Sequence, residues 1–550
     1  MHAETVLLLV LAAVAVIVAA RWLAGRTGVP AAALLTVTGL VYALLPGPNL
    51  TLDPEIVLTV LLPPLLYSAA LDSSLIAIRA NMRTVVGLSV LLVLVTALVI
   101  GAGFALWVPG ATLAAGIALG AAVAPPDPVA ALAVGRRVGL PPRLVTLIQG
   151  EGLLNDATAL TLLSVAVAAA VGDGFSTWSA LGQFALAAAG GVAAGLVVAY
   201  GVRPLRRLRR DPLASNAISL ATPFVAYLLA ESVHVSGVLA VVVAGLVIAH
   251  NAPYWQSGAT RLQTDAVWRL VDFLLEGVVF LLIGQQLPAV IRGLGQYAPS
   301  TVVVASLITV GAVLLVRPLW LWLTEHAPQA LHMRLSGAPA ADEDDDPTTP
   351  PRQLSGREIA VLSWAGTRGV ISLAAVFTIP LTTDAGDPFP DRDLLLFCAF
   401  LAVLVTLVGQ GATFAPLVRR LRLRADAADA ARLRNQARVA AVDAGLARLD
   451  ELQAEQHDHL DDAAIESIRA ALRTRRTRYE RRLEVLVDAE GEVPMSPEYE
   501  AALRVRRAVI DAEREELLRW RDLGRLPDEG LRTLERELDH QEHLLPARPA

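Results

Sequence analysis

The sequence has few charged residues, one cysteine and no lysine. Only 18% of its 550 residues are charged and 55% are hydrophobic, whereas soluble domains have about 25% charged residues. Cys398 is the single cysteine, so a disulfide bond within one chain is excluded. The formal net charge of −6 gives no reason to expect nucleic-acid binding. This composition indicates a membrane protein.

The hydrophobic residues are concentrated in the first three quarters of the chain. Residues 425–550 have the composition of a charged soluble sequence, so we predict a membrane-embedded domain over 1–424 and a tail over 425–550. A helix needs about 20 apolar residues to cross a bilayer. On this basis we predict thirteen transmembrane helices: 4–20, 29–46, 55–72, 84–107, 112–134, 143–171, 178–201, 213–231, 236–250, 268–290, 300–324, 357–380 and 393–417.

The arginine residues predict the orientation of these helices. Arginine-rich loops alternate with loops that contain only Arg292 and Arg392, and positively charged loops face the cytoplasm. With thirteen spans, the N-terminus is then outside and the tail is cytoplasmic, and we expect the protein in the plasma membrane. No basic residue precedes the first apolar segment, so we expect an uncleaved helix there rather than a signal peptide.

Asp127 lies among three prolines in the fifth predicted helix. The prolines at positions 125, 126 and 128 remove several backbone hydrogen-bond donors. An unwound stretch is tolerated in a membrane only where protein or a watery cavity satisfies its backbone, and discontinuous helices form ion sites in many transporters. Asp127 is therefore a candidate ion-binding residue, and a loop between two shorter helices is the alternative interpretation.

Two acids and an amide fall within six residues of the sixth predicted helix. Glu151 and Asn155 are four residues apart and share a helix face, and Asp156 follows Asn155 directly. Ionisable side chains at membrane depth are costly and mark ion or proton pathways. We therefore predict an ion site that includes Asp156, rather than a structural helix cap.

Two arginines lie inside predicted membrane helices. Gly366 and Gly369 flank Arg368, so the backbone there can depart from a helix. A buried guanidinium stays charged and needs a carboxylate partner, for which Glu151 is our candidate. Arg317 either supports the site or extends to the membrane interface.

These motifs resemble those of bacterial Na+/H+ antiporters of the monovalent cation:proton antiporter family one, which are relatives of the animal and plant sodium/proton exchangers. The resemblance covers residues 1–420. It rests on the motifs Pro63-Pro64-Leu65-Leu66-Tyr67, Pro126-Asp127-Pro128-Val129-Ala130, Gly150-Glu151-Gly152-Leu153-Leu154-Asn155-Asp156, Ser236-Gly237-Val238-Leu239-Ala240, Gly366-Thr367-Arg368-Gly369 and Gln410-Gly411.

The resemblance implies an all-α fold of two inverted-topology repeats, in which the unwound fifth and twelfth helices cross near the midplane. It implies that Asp156 binds Na+ or H+ alternately, that Asn155 supports the site together with Arg317, and that Glu151 pairs with Arg368. It also implies a homodimer that works by alternating access in a lipid bilayer. No cofactor is expected, since Na+ and H+ are substrates.

One position departs from the family pattern. A threonine often precedes the aspartate of the fifth helix, but this chain has Pro126 there. Backbone carbonyls or the hydroxyl of Thr158 would then replace the missing ligand. Glu276 lies eight residues before Gly284, as in some exchangers, and is a candidate for the wall of an access funnel.

A single titratable carboxylate in the site predicts electroneutral exchange. The neighbour of Asp156 is an amide rather than a second acid, so about one Na+ should exchange for one H+. Three alternatives remain at this point: a K+-preferring or electrogenic antiporter, an intramembrane aspartyl hydrolase that uses Asp127 and Asp156, and a receptor that signals through its tail. The hydrolase gives Arg368 no role, and the receptor leaves the acids unexplained.

The tail is predicted to form a small cytoplasmic bundle of helices. Its apolar residues recur at the spacing of helix faces. These residues are Val439, Val442, Leu446 and Leu449, then Ile465, Ile468 and Leu472, and finally Leu531, Leu534 and Leu538.

Overall fold

The structure is a computed structural model that describes residues 3–27, 29–45, 54–172, 177–208, 211–326, 354–423, 427–454, 462–487, 497–523 and 525–543. It divides into two compact units, Met1–Leu423 and Arg424–Ala550.

The described residues of the first unit are mostly helical. Its helices are α1 (Ala3–Thr27), α2 (Ala31–Ala43), α3 (54–71), α4 (Leu75–Ala80), α5 (Met82–Trp107), α6 (Leu113–Val123), α7 (Pro128–Val138), α8 (Pro142–Val171), α9 (Thr177–Leu208), α10 (Pro212–Ser232), α11 (Gly237–Trp255), α12 (Gly258–Gly293), α13 (Pro299–His326), α14 (Gly356–Trp364), α15 (Val370–Phe377) and α16 (Arg392–Leu421). A 3₁₀ turn, Leu294–Gln296, follows α12.

Helices are confirmed at all thirteen segments that were predicted to cross the membrane. Each predicted segment coincides with one helix of the structure, or with a pair of helices at α6–α7 and α14–α15. Within the described residues, eight helices are long and apolar enough to cross a membrane by length and composition alone. The closely spaced pair α10 and α11 is separate, because the chain turns at His234, whose φ is +56°.

Two helix pairs are single crossings interrupted in the middle. α6 stops at Val123 and α7 starts at Pro128, while α14 stops at Trp364 and α15 starts at Val370. Counted as crossings, these are the fifth and the twelfth. Successive crossings alternate in direction, and the twelfth follows the fifth by seven, an odd number. The two interrupted helices therefore run in opposite directions, as inverted-topology repeats require.

Three other helices contain a π-turn, at Val57–Leu61 in α3, Gly87–Leu91 in α5 and Thr406–Gln410 in α16. Such turns insert one extra residue into the helix and frequently occur at functional sites. The third turn lies beside the interrupted crossing α14–α15, because the hydroxyl of Thr406 accepts a hydrogen bond from the backbone N–H of Arg368 at 3.0 Å.

The close packing of α2 against α12 depends on two glycines. A Cβ at Gly39 would overlap the carbonyl of Leu281, and a Cβ at Gly284 would overlap the carbonyl of Thr36. Small residues at these positions let the two backbones approach each other, which is how membrane helices associate without a hydrophobic driving force. This contact fixes the position of α12, which carries Glu276.

The second unit contains α17 (Ala427–Ala454), α18 (Asp462–Val487), α19 (Pro497–Asp522) and α20 (Asp528–His543). α17 packs against α18, and α19 packs against α20. Val442, Ile465, Leu531 and Leu538 are buried, as their spacing predicted. Ile468 is 51% exposed, so its assignment to the buried stripe was wrong.

Candidate ion-binding site

The two interrupted crossings contact each other through their unwound segments. The backbone N–H of Asp127 donates to the carbonyl of Thr367 at 2.6 Å, and the hydroxyl of Thr367 donates to the carbonyl of Asp127 at 2.9 Å. These two hydrogen bonds satisfy backbone groups that the prolines and glycines leave outside the helices. The crossing that the resemblance implied is therefore present.

The carboxylate of Asp127 lies where the two unwound segments cross each other. It accepts a hydrogen bond from the backbone N–H of Val129 at 2.9 Å and so caps the N-terminus of α7. It also packs directly on the Cα of Gly369, where a Cβ would overlap the carboxylate. The position of Asp127 thus depends on Gly369, a residue of the other interrupted helix pair, α14–α15.

Replacing Gly369 by alanine tests this dependence. The added Cβ must either displace the Asp127 carboxylate from its cap or separate the two segments, and losing the cap alone costs about 1 kcal/mol. We expect Gly369→Ala to lower the rate of exchange by about tenfold or more, measured in vesicles at equal protein content.

Gly311→Ala is the matched control for this substitution. Gly311 lies in α13, and a Cβ there has nothing within 4 Å. Its exchange rate should stay at the wild-type value. Equal rates in the two variants would show that the contact between Gly369 and Asp127 has no functional role.

Asn155 and Asp156 lie next to the crossing on α8. The side-chain amide of Asn155 donates to the carbonyl of Pro126 at 2.9 Å, while its buried Oδ1 has no hydrogen-bond partner. Asp156 is 5% exposed, and no described side chain donates to its carboxyl group or pairs with it. The hydroxyl of Thr158 donates to the carbonyl of Leu154 at 3.2 Å, so its lone pairs stay available.

Glu151 forms a buried ion pair with Arg317. Both carboxylate oxygens are bound by the guanidinium, with Nη2 at 2.8 Å from Oε2 and Nη1 bound to Oε1. The side chains are 2% and 3% exposed. Of the two interpretations of Arg317, its extension to the membrane interface is therefore wrong.

The predicted ion pair between Glu151 and Arg368 is also wrong. The Nε of Arg368 donates to the carbonyl of Val123 at 2.8 Å, and its Nη1 donates to the carbonyl of Gly366. Arg368 thus binds backbone carbonyls that the helix interruptions leave free. Because Arg317 supplies the bidentate partner that Glu151 needs, no second guanidinium is required there.

Both buried arginines stabilise the C-terminal ends of interrupted helices. Arg368 binds the carbonyl of Val123, the last residue of α6, and the Nε of Arg317 donates to the carbonyl of Leu362 near the end of α14 at 2.8 Å. The C-terminus of a helix carries a partial negative charge and four unbonded carbonyls. The two guanidinium groups supply both the positive charge and the donors.

A cavity of about 260 Å³ reaches the crossing from one side. Its lining includes Asp127 and Thr367 of the crossing, Arg21 of α1 and Glu276 of α12. A second cavity, of about 720 Å³, is lined by Glu55, Glu231 and Arg392 among others. Arg392 begins α16, whereas Gly411 and Ala415 of the first cavity lie near its end, so the two cavities lie towards opposite ends of this helix.

The arrangement is suited to binding one hard monovalent cation. The carboxyl group of Asp156 and the unpaired Oδ1 of Asn155 belong to successive residues of α8 beside the unwound backbone, and oxygen atoms are the ligands that such ions prefer. Among the described residues there is no group of three or more His, Cys, Asp or Glu side chains that could hold a transition metal.

Three contributions to the crossing could not be predicted from the sequence. Thr367 forms the hydrogen bonds between the segments, Gly369 makes room for Asp127, and Thr406 binds the backbone at Arg368. The first two lie in the motif around Arg368, whose glycines predict only that the backbone there can depart from a helix. Thr406 is one of several threonines in apolar helices, and nothing local distinguishes it.

Known proteins resemble this chain in sequence and in fold. Residues 10–420 match the family model of the transmembrane sodium/hydrogen exchangers. An uncharacterised Na+/H+ exchanger of Mycobacterium tuberculosis is 34% identical over 98% of this chain and 95% of its own length. A sodium, potassium, lithium and rubidium/H+ antiporter of Bacillus subtilis is 32% identical over 69% of this chain and 56% of its own length.

The solved structure of the sodium proton antiporter MjNhaP1 from Methanocaldococcus jannaschii has the same fold. It matches with a TM-score of 0.57 at 18% identity, over 76% of this chain and 99% of that protein. These matches identify an antiporter rather than an enzyme, which removes the hydrolase alternative. The chain belongs to the sodium/hydrogen exchanger family of membrane transporters.

Proposed function

We propose that this protein exchanges Na+ for H+ in a one-to-one ratio, with Asp156 as the group that binds either ion. The observation that supports this most is the state of its carboxyl group. It is almost fully buried, and no described residue of the chain neutralises it. A buried carboxylate without a partner is unstable unless a proton or a cation supplies the missing charge.

The neighbouring groups support the same interpretation. The unpaired Oδ1 of Asn155 and the hydroxyl of Thr158 lie on the same helix as Asp156. A buried acceptor without a donor costs free energy, and a bound cation would satisfy the Asn155 oxygen. We propose that Asp127 contributes to the site through the unwound backbone that it holds in place.

Competition between a proton and Na+ for Asp156 produces coupled exchange. The site can cross the bilayer as the Na+ form or as the protonated form, but an empty anion meets a high barrier in the low-dielectric interior. The Glu151–Arg317 pair is internally neutral. A second titrating acid at position 155 would change the ratio, but the residue there is an amide.

Electroneutral exchange gives a direct prediction. In proteoliposomes with an imposed Na+ gradient, we expect a pH change inside but no membrane potential in a voltage-sensitive dye. Clamping the voltage with K+ and valinomycin should leave the initial rate unchanged. A potential that develops with transport, or a rate that depends on voltage, would identify an electrogenic exchanger.

A wider ion range is the second candidate. The name of the Bacillus subtilis relative lists sodium, potassium, lithium and rubidium as ions that it exchanges for H+. In this chain Pro126 provides no side-chain hydroxyl next to Asp127, so we expect backbone carbonyls to take its place as ligands. Measuring exchange with each cation in turn distinguishes a Na+-selective site from a broad one.

We further propose the cellular arrangement. The arginine distribution supports an N-terminus outside and a tail in the cytoplasm, with the protein in the plasma membrane. We propose a homodimer and no resident cofactor. Cysteine labelling at the two ends of the chain tests the orientation, and mass measurement in detergent tests the dimer.

The experiment that tests the function uses everted membrane vesicles that have been acidified by respiration. Adding Na+ should cause alkalinisation inside vesicles that contain the protein and none in vesicles without it. Absence of any response with Na+ and with K+ contradicts the proposal.

A further inference from the structure

A positive charge lines the cavity that leads to Asp127. Arg21 lies near the end of α1, is exposed, and forms part of the wall of the 260 Å³ cavity together with Glu276. A cation pathway normally concentrates its substrate by negative charge. The guanidinium of Arg21 on the same cavity repels cations and so has the opposite effect.

The guanidinium of Arg21 is held near Glu276 without binding it. Its central carbon lies 5.0 Å from the ring centre of Phe273, a cation–π contact. Phe273 precedes Glu276 by three residues on α12, so the two side chains share a helix face. In the described part of the chain, Arg21 has this aromatic contact and no salt bridge to a carboxylate.

The charged groups that act on Glu276 come from several elements. They are Asp127 from the crossing, Asp272 one turn earlier on α12, and Arg21 from α1. Asp272 accepts a hydrogen bond from the hydroxyl of Ser68. Glu276 is therefore under the influence of two other carboxylates, Asp127 and Asp272, and of one positive charge, Arg21.

We propose that Arg21 is a tethered cation that competes with the transported ion for this cavity and thereby lowers the apparent affinity of the cytoplasmic side. The inference rests on the proposed exchange function and orientation. A fixed positive charge lowers the local concentration of other cations through its field, and a flexible arginine can also move from Phe273 onto Glu276. Either event reduces occupancy by Na+ and leaves the chemistry at Asp156 untouched.

The inference predicts a change in half-saturating Na+ concentration at an unchanged maximal rate. The guanidinium of Arg21 is partly solvated and belongs to the lining of the cavity. Removing its positive charge should therefore lower that concentration by about two- to fivefold. The difference should shrink when ionic strength is raised with choline chloride, because salt screens such fields beyond about 10 Å at 0.1 M.

The experiment compares neutral and charged replacements in everted vesicles, in which the cytoplasmic face is outside. Arg21→Gln and Arg21→Met remove the charge, and methionine keeps an apolar stem on Phe273. Arg21→Lys keeps the charge. The two neutral variants should show the lower half-saturating concentration and Arg21→Lys the wild-type value, whichever of Na+ or K+ drives exchange.

A double substitution tests whether Arg21 acts through Glu276. Glu276→Gln alone should raise the half-saturating concentration. If the two residues are coupled, Arg21→Gln should have less effect in the Glu276→Gln background than in the wild type.

Three results are distinguishable. Wild-type vesicles without any Na+ or K+ response overturn the proposed function and this inference with it. Active wild-type vesicles with no shift in either neutral variant, or with the same shift in Arg21→Lys, overturn the inference alone. A shift in maximal rate without a shift in half-saturating concentration assigns Arg21 a structural role and also overturns it.

Discussion

Replacing Asp156 by asparagine should abolish cation/proton exchange and leave the protein folded in the membrane. Asparagine has nearly the same shape, and Asp156 makes no hydrogen bond or ion pair with a described side chain that the amide would break. The substitution removes the carboxyl group that we propose to hold either a proton or a cation. We expect the Na+-dependent pH change to fall to the level of empty vesicles.

The control for this substitution is Asp265→Asn. Asp265 lies on α12 with its side chain 54% exposed, in a surface pair with Arg269. The chemical change is identical, and exchange should be unaffected. Residual Na+/H+ exchange in Asp156→Asn at normal expression would place the titrating group elsewhere, with Asp127 the next candidate.

The second large effect is expected from the buried ion pair. Glu151→Gln leaves the guanidinium of Arg317 buried without a counter-charge, and breaking a buried pair in this way costs about 3–5 kcal/mol. A folded protein is stable by only about 5–15 kcal/mol, and for a unit of this size the melting temperature of the purified protein should fall by about 3–6 °C. Fluorescence-detected melting in detergent measures this.

A surface pair provides the comparison. Arg269→Gln breaks the salt bridge with Asp265, whose side chains are 72% and 54% exposed, and such pairs contribute about 0–1 kcal/mol. Its melting temperature should stay close to that of the wild type. Similar small shifts in Glu151→Gln and Arg269→Gln would mean that the buried pair does not stabilise the fold.

Double substitutions identify which arginine is the partner of Glu151. Adding Arg317→Met to Glu151→Met removes both charges at once, so the double variant should recover part of the lost stability. Adding Arg368→Met should recover nothing, because Arg368 binds the carbonyls of Val123 and Gly366 instead.

Much of the architecture could be predicted from the sequence. Apolar length and arginine alternation are properties of each segment alone, so they located all thirteen crossings. The prolines around Asp127 and the glycines around Arg368 located both interruptions, because these residues restrict or free the local backbone.

The partners of the buried charges could not be predicted in the same way. Sequence spacing shows that Glu151 needs a cation, but two arginines on different helices satisfy that need equally well. The choice depends on the free carbonyls at the ends of α6 and α14, which bind Arg368 and help to bind Arg317. Those carbonyls are available only because the crossings are interrupted and brought together, which is a property of the assembled fold.

The contact of Gly369 with Asp127 has the same origin. A glycine beside an arginine in an apolar segment has several explanations, and close approach to a carboxylate 242 positions away is visible only in three dimensions. The cavity that joins Arg21, Phe273 and Glu276 is likewise formed by α1, α12 and the crossing together.

The central claim is that a proton and a cation exclude each other at Asp156. Counting the protons that the purified protein releases into weakly buffered solution as it binds Na+ tests this claim without requiring transport. At a pH where the group is protonated, we predict close to one proton per Na+ in the wild type and none in Asp156→Asn. Na+ binding without proton release in the wild type, or equal release in both proteins, would contradict it.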